Sequence, residues 1–336
     1  MAQLLGLLLL SFLITSLLLV PFIDLLYKWK LRRQNQETRD VFDKLTPIFD
    51  KLHGWKVGTP VGGGLLIILV VTIMTLWSYG LFGFTPKVWE IFLLLFSFIS
   101  FGLLGLYDDI RKTFGYQRGG FFGLRLRHKL LFQIILALII GILFYTKLGV
   151  DFINIHWFGT VEIGIFYIPL AAFIVVSFAN AFNITDGLDG LASGLLLICL
   201  TAFWVISSTL LDPTLAVFIA IWIGSLLAFL YFNIYPARIW LGDVGALSFG
   251  ATLAVVGLLT GKIPAVAIIG GVFVAEVASS FLQLISKKFL GKKVFHVAPL
   301  HLWFQNKDWG EPKVVTRFWL IGILFAIFGL WLAVIK

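Results

Sequence analysis

"TLAVFIAIWIGSLLAFLYFNIYPARIWLGDVGALSFGATLAVVGLLTG", residues 214–261, holds two apolar runs of membrane-spanning length joined by a short polar turn. Each run, 214–234 and 244–261, is close to the ~20 residues with which a helix crosses a bilayer. The turn carries Arg238 and Asp243, which excludes one long buried helix and leaves a membrane hairpin.

The pattern extends along the chain. Apolar stretches recur at roughly 2–27, 61–82, 89–107, 129–146, 163–182, 190–210, 264–285 and 317–335, making ten with the first two. Composition agrees: 60% of the 336 residues are hydrophobic and 13% charged. Soluble domains run nearer half apolar and roughly a quarter charged. The fold class is therefore an all-α integral membrane protein of about ten transmembrane helices, read as a single polytopic domain over 1–336. The first stretch has no basic leader and no small-residue cleavage site, and is read as a retained span. The single cysteine, Cys199, lies inside an apolar run and excludes a disulfide framework.

Charge sets the topology. Loops after odd-numbered spans hold 22 of the 26 lysines and arginines, leaving Lys87, Lys147, Lys262 and Lys336 for the other face. By the positive-inside rule the basic loops are cytoplasmic and both termini extracytoplasmic. The net charge of +9 then reports orientation and needs no nucleic acid. A segment at 39–52, "RDVFDKLTPIFDK" with its neighbours, reads as a short amphipathic helix along the membrane surface.

Five acids collect on that same face. Asp108 and Asp109 end the third span, Asp186 and Asp189 join the fifth and sixth, and Asp243 joins the seventh and eighth. A carboxylate is costly in lipid but tolerated where helix ends line a polar cleft. Such a cluster among lysines suits Mg²⁺, which takes hard oxygen ligands and usually bridges substrate phosphates. His296 and His301, beside a proline turn in the last cytoplasmic loop, are placed for phosphate contact or proton transfer. Glu276 falls mid-span, where it pairs inside the bundle, marks a proton path, or signals a broken helix. "NIT" at 183–185 matches a glycosylation acceptor, but the cytoplasmic face excludes that use.

"KVGTPVGGG" (56–64), "LYDDIRK" (106–112), "GLRLRHKLLFQ" (123–133), "NAFNITDGLDGLASG" (180–194), "PARIWLGDVGALSFG" (236–250), "HVAPLH" (296–301) and "WGEPKVVTRFW" (309–319) follow in one order. In these motifs the chain resembles the polyprenyl-phosphate N-acetylhexosamine-1-phosphate transferase superfamily, and most closely its phospho-N-acetylmuramoyl-pentapeptide branch. The resemblance spans essentially the whole chain. It implies a cytoplasmic-face active-site cleft in a bacterial inner-membrane enzyme. There phospho-MurNAc-pentapeptide would pass from its UDP carrier to undecaprenyl phosphate with Mg²⁺, giving lipid I and UMP. It also implies a homodimer.

Residue roles follow from the resemblance. Asp243 matches the Mg²⁺ ligand, and Asp108 and Asp109 match the pair that orients or deprotonates the acceptor phosphate. Lys129 matches a charge-neutralising lysine, and His301 a catalytic histidine. Asn180, Asn183, Asp186 and Asp189 match the nucleotide-pocket stretch, with Asn233 near the metal and Lys56 and His296 reaching the donor. Trp240 stands where the branch carries a phenylalanine near the uracil ring. The chain departs from the branch in three places: a single His301 replaces three consecutive histidines, Val61 replaces a hydroxyl residue, and the loop between Asp109 and Lys129 is longer. These departures bear on donor recognition and leave the carboxylates untouched. Two other readings are open at this level: a sister transferase using another UDP-sugar such as UDP-GlcNAc, and a non-catalytic transporter or binding protein. A transporter would place its charges near the bilayer midplane; here only Glu276 lies there.

Overall fold

The computed structural model describes residues 1–33, 54–82, 86–114, 123–155 and 159–335. The surface helix expected at 39–52 lies outside the described residues. Helices α1 (Ala2–Lys28), α2 (Gly63–Phe82), α3 (Val88–Phe114), α4 (Leu126–Lys147), α5 (Tyr167–Thr185), α6 (Leu191–Thr209), α7 (Pro213–Asn233) and α8 (Gly242–Leu259) follow the first eight expected spans. After α9 (Ile263–Ile269), α10 (Gly271–Phe289) and the short α11 (Leu300–Gln305), α12 (Glu311–Val334) closes the series. Among the described residues nine helices are long and apolar enough to cross a membrane. The ninth expected span is instead a broken pair, α9 and α10, bent by 77°. A two-stranded antiparallel hairpin, β1 (Phe152–Ile155) and β2 (Gly159–Glu162), follows α4; the sequence reading did not foresee it.

Burial orders the bundle. Over an apolar 18-residue stretch of each helix, 83% of the residues are buried in α8 and 78% in α7, against 22% in α1 and 28% in α4 and α12. The first two form the centre, and the others turn their apolar side chains outward. The centre is aromatic: Phe98 of α3, Phe218 and Trp222 of α7 and Phe249 of α8 pack with ring centroids 5.0–5.6 Å apart. Between apolar helices in lipid, close packing replaces the hydrophobic driving force, and small residues let backbones approach. A Cβ on Gly105 of α3 would lie 2.1 Å from the Asp243 carbonyl oxygen, and one on Gly64 of α2 2.2 Å from the Gly245 Cα. Those contacts press α2 and α3 onto the start of α8 and so fix where Asp243 sits.

α10 is inverted relative to its neighbours. Glu276, Ser279, Gln283 and Ser286 are buried, while Phe281, Leu282, Ile285 and Phe289 are exposed. The break at Gly270 tilts α10 so that its polar stripe meets the bundle and its apolar stripe faces outward.

Candidate active site

Three short backbone segments meet at one end of the bundle. Arg33 N–H donates to the Thr59 carbonyl (2.9 Å), Trp240 N–H to that of Pro60 (2.9 Å), and Gly62 N–H to that of Trp240 (3.1 Å). The exit of α1, the stretch before α2 and the turn between α7 and α8 are thereby tied into one ladder. Arg33 and Lys56 both approach the Trp240 ring, at 5.2 and 4.8 Å from its centroid.

Beside this ladder the N-terminus of α8 is held by α3. The carboxylate of Asp109 accepts the backbone N–H groups of Asp243 (3.1 Å) and Val244 (3.0 Å), two donors that the first turn of a helix leaves unpaired. Gly242 has φ +74°, and a Cβ there would lie 2.6 Å from Asp109 Oδ2, so only glycine fits this turn. Asp108 accepts the Leu124 N–H through Oδ1 (2.6 Å). Its Oδ2 meets the ammonium groups of Lys112 and Lys129, each at 3.1 Å. Both lysines also contact Asp243 Oδ2, Lys112 at 2.8 Å and Lys129 by a shorter bond. Two carboxylates are thus bridged by two ammonium groups, an arrangement with net charge near zero.

An adjoining cavity of about 170 Å³ is lined by Asp109, Lys112, Asn183, Asp186, Trp240 and Asp243, with Arg32, Arg33, Val61 and Thr113 around them. Asn183 Nδ2 is buried without a hydrogen-bond partner among the described residues. A buried amide left unsatisfied is unfavourable by about 1–3 kcal/mol, so its presence on a cavity wall points to a polar ligand. Asp186, at the C-cap of α5, has its carboxyl pushed well above the usual carboxylate range by burial, with Asp243 and Asp189 adding repulsion.

Other residues singled out in the sequence lie elsewhere. Lys56 is 1% exposed and donates to Asp189 Oδ1 (2.8 Å) and Glu311 Oε1 (2.5 Å). Glu311 also accepts the Asp189 N–H (2.6 Å), and Asp189 Oδ2 that of Ala237 (2.9 Å). Lys56 and Asp189 therefore belong to a buried ion triad behind the Trp240 ring. Asn233 accepts from Ser193 Oγ (2.6 Å) and donates to the Ile239 carbonyl (2.9 Å), bracing the turn that carries Trp240. Asn180 donates to Gln133 Oε1 (2.7 Å) and ties α5 to α4. His301 is buried against Glu276, and His296 is exposed. Among the described residues no group of three or more His, Cys, Asp or Glu side chains gathers as a metal cage.

Sequence reasoning passed over Lys112, Glu311 and the pocket-lining role of Arg32 and Arg33. Lys112 carried a local signal, standing four residues after Asp108 on the same helix face. Glu311 carried none, because its partners are 122 and 255 residues away.

Residues 91–261 match the family described as Glycosyl transferase family 4. A phospho-N-acetylmuramoyl-pentapeptide-transferase of Geobacillus sp. is 37% identical over 97% of this chain and 96% of its own. That of Limosilactobacillus reuteri is 38% identical over 94% and 93% of the two chains. The chain belongs to the phospho-N-acetylmuramoyl-pentapeptide transferase family. A third relative of the same name, from Caldanaerobacter subterraneus subsp. tengcongensis, is 39% identical over 82% of this chain and 84% of its own. The Glycosyl transferase match begins in α3 and ends just past α8, and so contains Asp108, Asp109, Lys112, Lys129, Asp186 and Asp243.

Proposed function

We propose that this chain transfers phospho-MurNAc-pentapeptide from UDP-MurNAc-pentapeptide to undecaprenyl phosphate at the cytoplasmic face of a bacterial inner membrane, releasing UMP and forming lipid I. The observation that carries the reading is the Asp108–Asp243 pair bridged by Lys112 and Lys129 beside a cavity walled by Asn183 and Trp240. The donor is a soluble polyanion and the acceptor a lipid phosphate. A basic pocket where apolar helices end suits both.

Phosphoryl transfer asks little covalent chemistry of a protein and much positioning and charge neutralisation. Asp243, with Oδ2 turned to two ammonium groups, is the carboxylate that would hold Mg²⁺. One protein carboxylate plus substrate phosphates is a usual Mg²⁺ environment, so the lack of a three-residue cage among the described residues fits this ion. Bound there, the ion would neutralise the diphosphate and steady the leaving UMP. Lys112 and Lys129, released from Asp243, would turn to the phosphate oxygens, and Arg32 and Arg33 at the rim would hold the nucleotide end. The Trp240 indole offers a stacking face for the base. Asn183 Nδ2 would donate to a donor oxygen. Of the aspartate pair, Asp109 borders the cavity while Asp108 sits behind the lysines. Asp109 is therefore the carboxylate that meets the acceptor phosphate, and Asp108 holds the lysines.

The test is UMP release by the purified protein with Mg²⁺ and undecaprenyl phosphate, with UDP-MurNAc-pentapeptide and UDP-GlcNAc offered side by side. Release from the muramoyl donor alone is the expected result. Release from UDP-GlcNAc alone would move the chain to the sister activity, and silence with both would refute transfer.

A further inference from the structure

Glu276 is an acid in an otherwise apolar span, and none of the steps above uses it. It is fully buried, 0% exposed, at the head of the inward polar stripe of α10. Both of its oxygens meet His301: the His301 backbone N–H donates to Oε1 at 3.1 Å, and ring Nδ1 lies 3.0 Å from Oε2. His301 is 1% exposed, and its other ring nitrogen faces the loop between α5 and α6. A Cβ built on Gly187 would lie 2.6 Å from His301 Nε2. Gly187 follows Asp186, which lines the cavity.

Oε1 accepts the backbone N–H, so the shared proton lies between Oε2 and Nδ1, and with Glu276 ionised it sits on the ring. An ionised carboxylate only accepts, and a backbone N–H only donates, so the Oε1 contact is consistent with the ionised form. Opposite Oε2, Nδ1 must then carry hydrogen. In the neutral ring this leaves Nε2 with its lone pair toward the 186–190 loop. We propose that Glu276 is a positioning residue for the transfer reaction: it holds His301 in the Nδ1–H tautomer, so that Nε2 accepts a hydrogen bond from a hydroxyl or amide N–H of the UDP-sugar donor. The proposal rests on the transferase reading above. It gives Glu276 a function, and gives one to the break at Gly270, which swings the polar stripe of α10 inward to reach α11. It also gives a reason for glycine at 187, where any side chain would cover Nε2.

Glu276→Gln separates this role from simple packing. The amide keeps the shape but replaces one acceptor by an NH₂ donor. With the His301 backbone N–H still requiring the oxygen, the NH₂ faces Nδ1, and the ring must move its proton to Nε2. ¹⁵N spectra of histidine-labelled protein in nanodiscs read the tautomer directly, with His301→Gln identifying the signal. Expected are Nδ1–H in the wild type, Nε2–H in E276Q, and Nδ1–H retained in Glu276→Asp. In steady-state assays E276Q is expected to lower kcat/KM for the UDP donor by about 10–100-fold. KM for undecaprenyl phosphate stays unchanged, and E276D recovers part of the loss.

Lost activity in E276Q with an unchanged tautomer would overturn the proposal, as would a switched tautomer with unchanged kinetics. If E276Q does not fold, E276D decides alone: it must keep Nδ1–H and lose activity only toward the donor. An active wild type lacking the Nδ1–H signature overturns this proposal alone, whereas a wild type silent with both donors overturns the transferase reading as well.

Discussion

Replacing Lys56 by methionine tests the buried triad most directly. The ammonium sits between two carboxylates, 2.8 Å from Asp189 Oδ1 and 2.5 Å from Glu311 Oε1, so these oxygens are at most 5.3 Å apart. Methionine fills much the same volume and removes the one cation that, among the described residues, pairs with both. At an effective dielectric of about 20, two charges that close repel by about 3 kcal/mol. Removing one member of a buried pair is typically destabilising by about 3–5 kcal/mol, so the two approaches agree. Glu311→Gln alone should be milder, about 1–2 kcal/mol, since the amide oxygen can still accept from Lys56 and from the Asp189 N–H. The double variant K56M/E311Q leaves one buried carboxylate and no repulsion. It should therefore be more stable than K56M, although it carries one substitution more. Thermal unfolding in detergent reads this as a midpoint lowered by the order of 5–10 °C in K56M and partly restored in the double variant. Additive losses, with the double variant the least stable of the three, would refute the triad as an electrostatic unit.

Asp243→Asn is expected to abolish UMP release with little recovery in excess Mg²⁺; full activity in that variant would remove the metal assignment. Gly105→Ala should cut turnover by tenfold or more, on the order of the 10²-fold that a 1 Å misplacement can cost, because its methyl group would meet the Asp243 carbonyl oxygen at 2.1 Å. Wild-type turnover in G105A would show that α3 does not fix the start of α8. Asp109→Asn and Asp108→Asn should both impair transfer, with only D109N raising KM for undecaprenyl phosphate; the reverse pattern would exchange their roles. Asp186 is held above the usual carboxylate range, so the fold favours its protonated form. The stability this contributes is complete below the ordinary carboxylate value and is lost as pH rises through the elevated one. Asp186→Asn should therefore gain on the wild type in unfolding midpoint from pH 4 to pH 7, and a constant difference would contradict it.

Most of the fold could be read in the sequence because a bilayer leaves few choices: backbone groups in lipid must be satisfied within a helix, so apolar runs become helices. Their ends at Asp108–Asp109, Asp186 and Asp243 marked one face, and the polar turn at 234–243 marked a hairpin. The readings that fell short concern geometry that hydropathy does not carry. At 264–285 the apolar run is continuous, yet Gly270 breaks it, because only a tilted α10 can bury Glu276 and Gln283 while exposing Phe281 and Ile285. Lys56 and Asp189 are read from the sequence as donor-facing, and in this structure their charges pair with each other and with Glu311, Lys56 also lying over the Trp240 ring. Whether a side chain points into the cavity or behind it depends on Glu311, which arrives from the far end of the chain.

The acids gathered at one end of the bundle therefore divide by what they touch. Asp189 spends one oxygen on Ala237 and one on Lys56 and sets the shape of its turn. Asp109 holds two backbone N–H groups of α8 and also borders the cavity, so it joins that turn to the acceptor side of the site. Asp243 Oδ2 and Asp108 Oδ2 instead meet the ammonium ends of two lysines, while Asp108 Oδ1 keeps the Leu124 backbone N–H; the side-chain partners can turn away without a change in the main chain. A site that must admit a polyanion and a cation together needs this second kind of contact. Charge is held neutral by side chains, which on the proposed reading give way to the substrate's own charges. Shape, meanwhile, is held by main-chain bonds that do not change on binding. Substitutions at Asp189 should accordingly be read out first in stability, and substitutions at Lys112, Lys129 and Asp243 first in turnover.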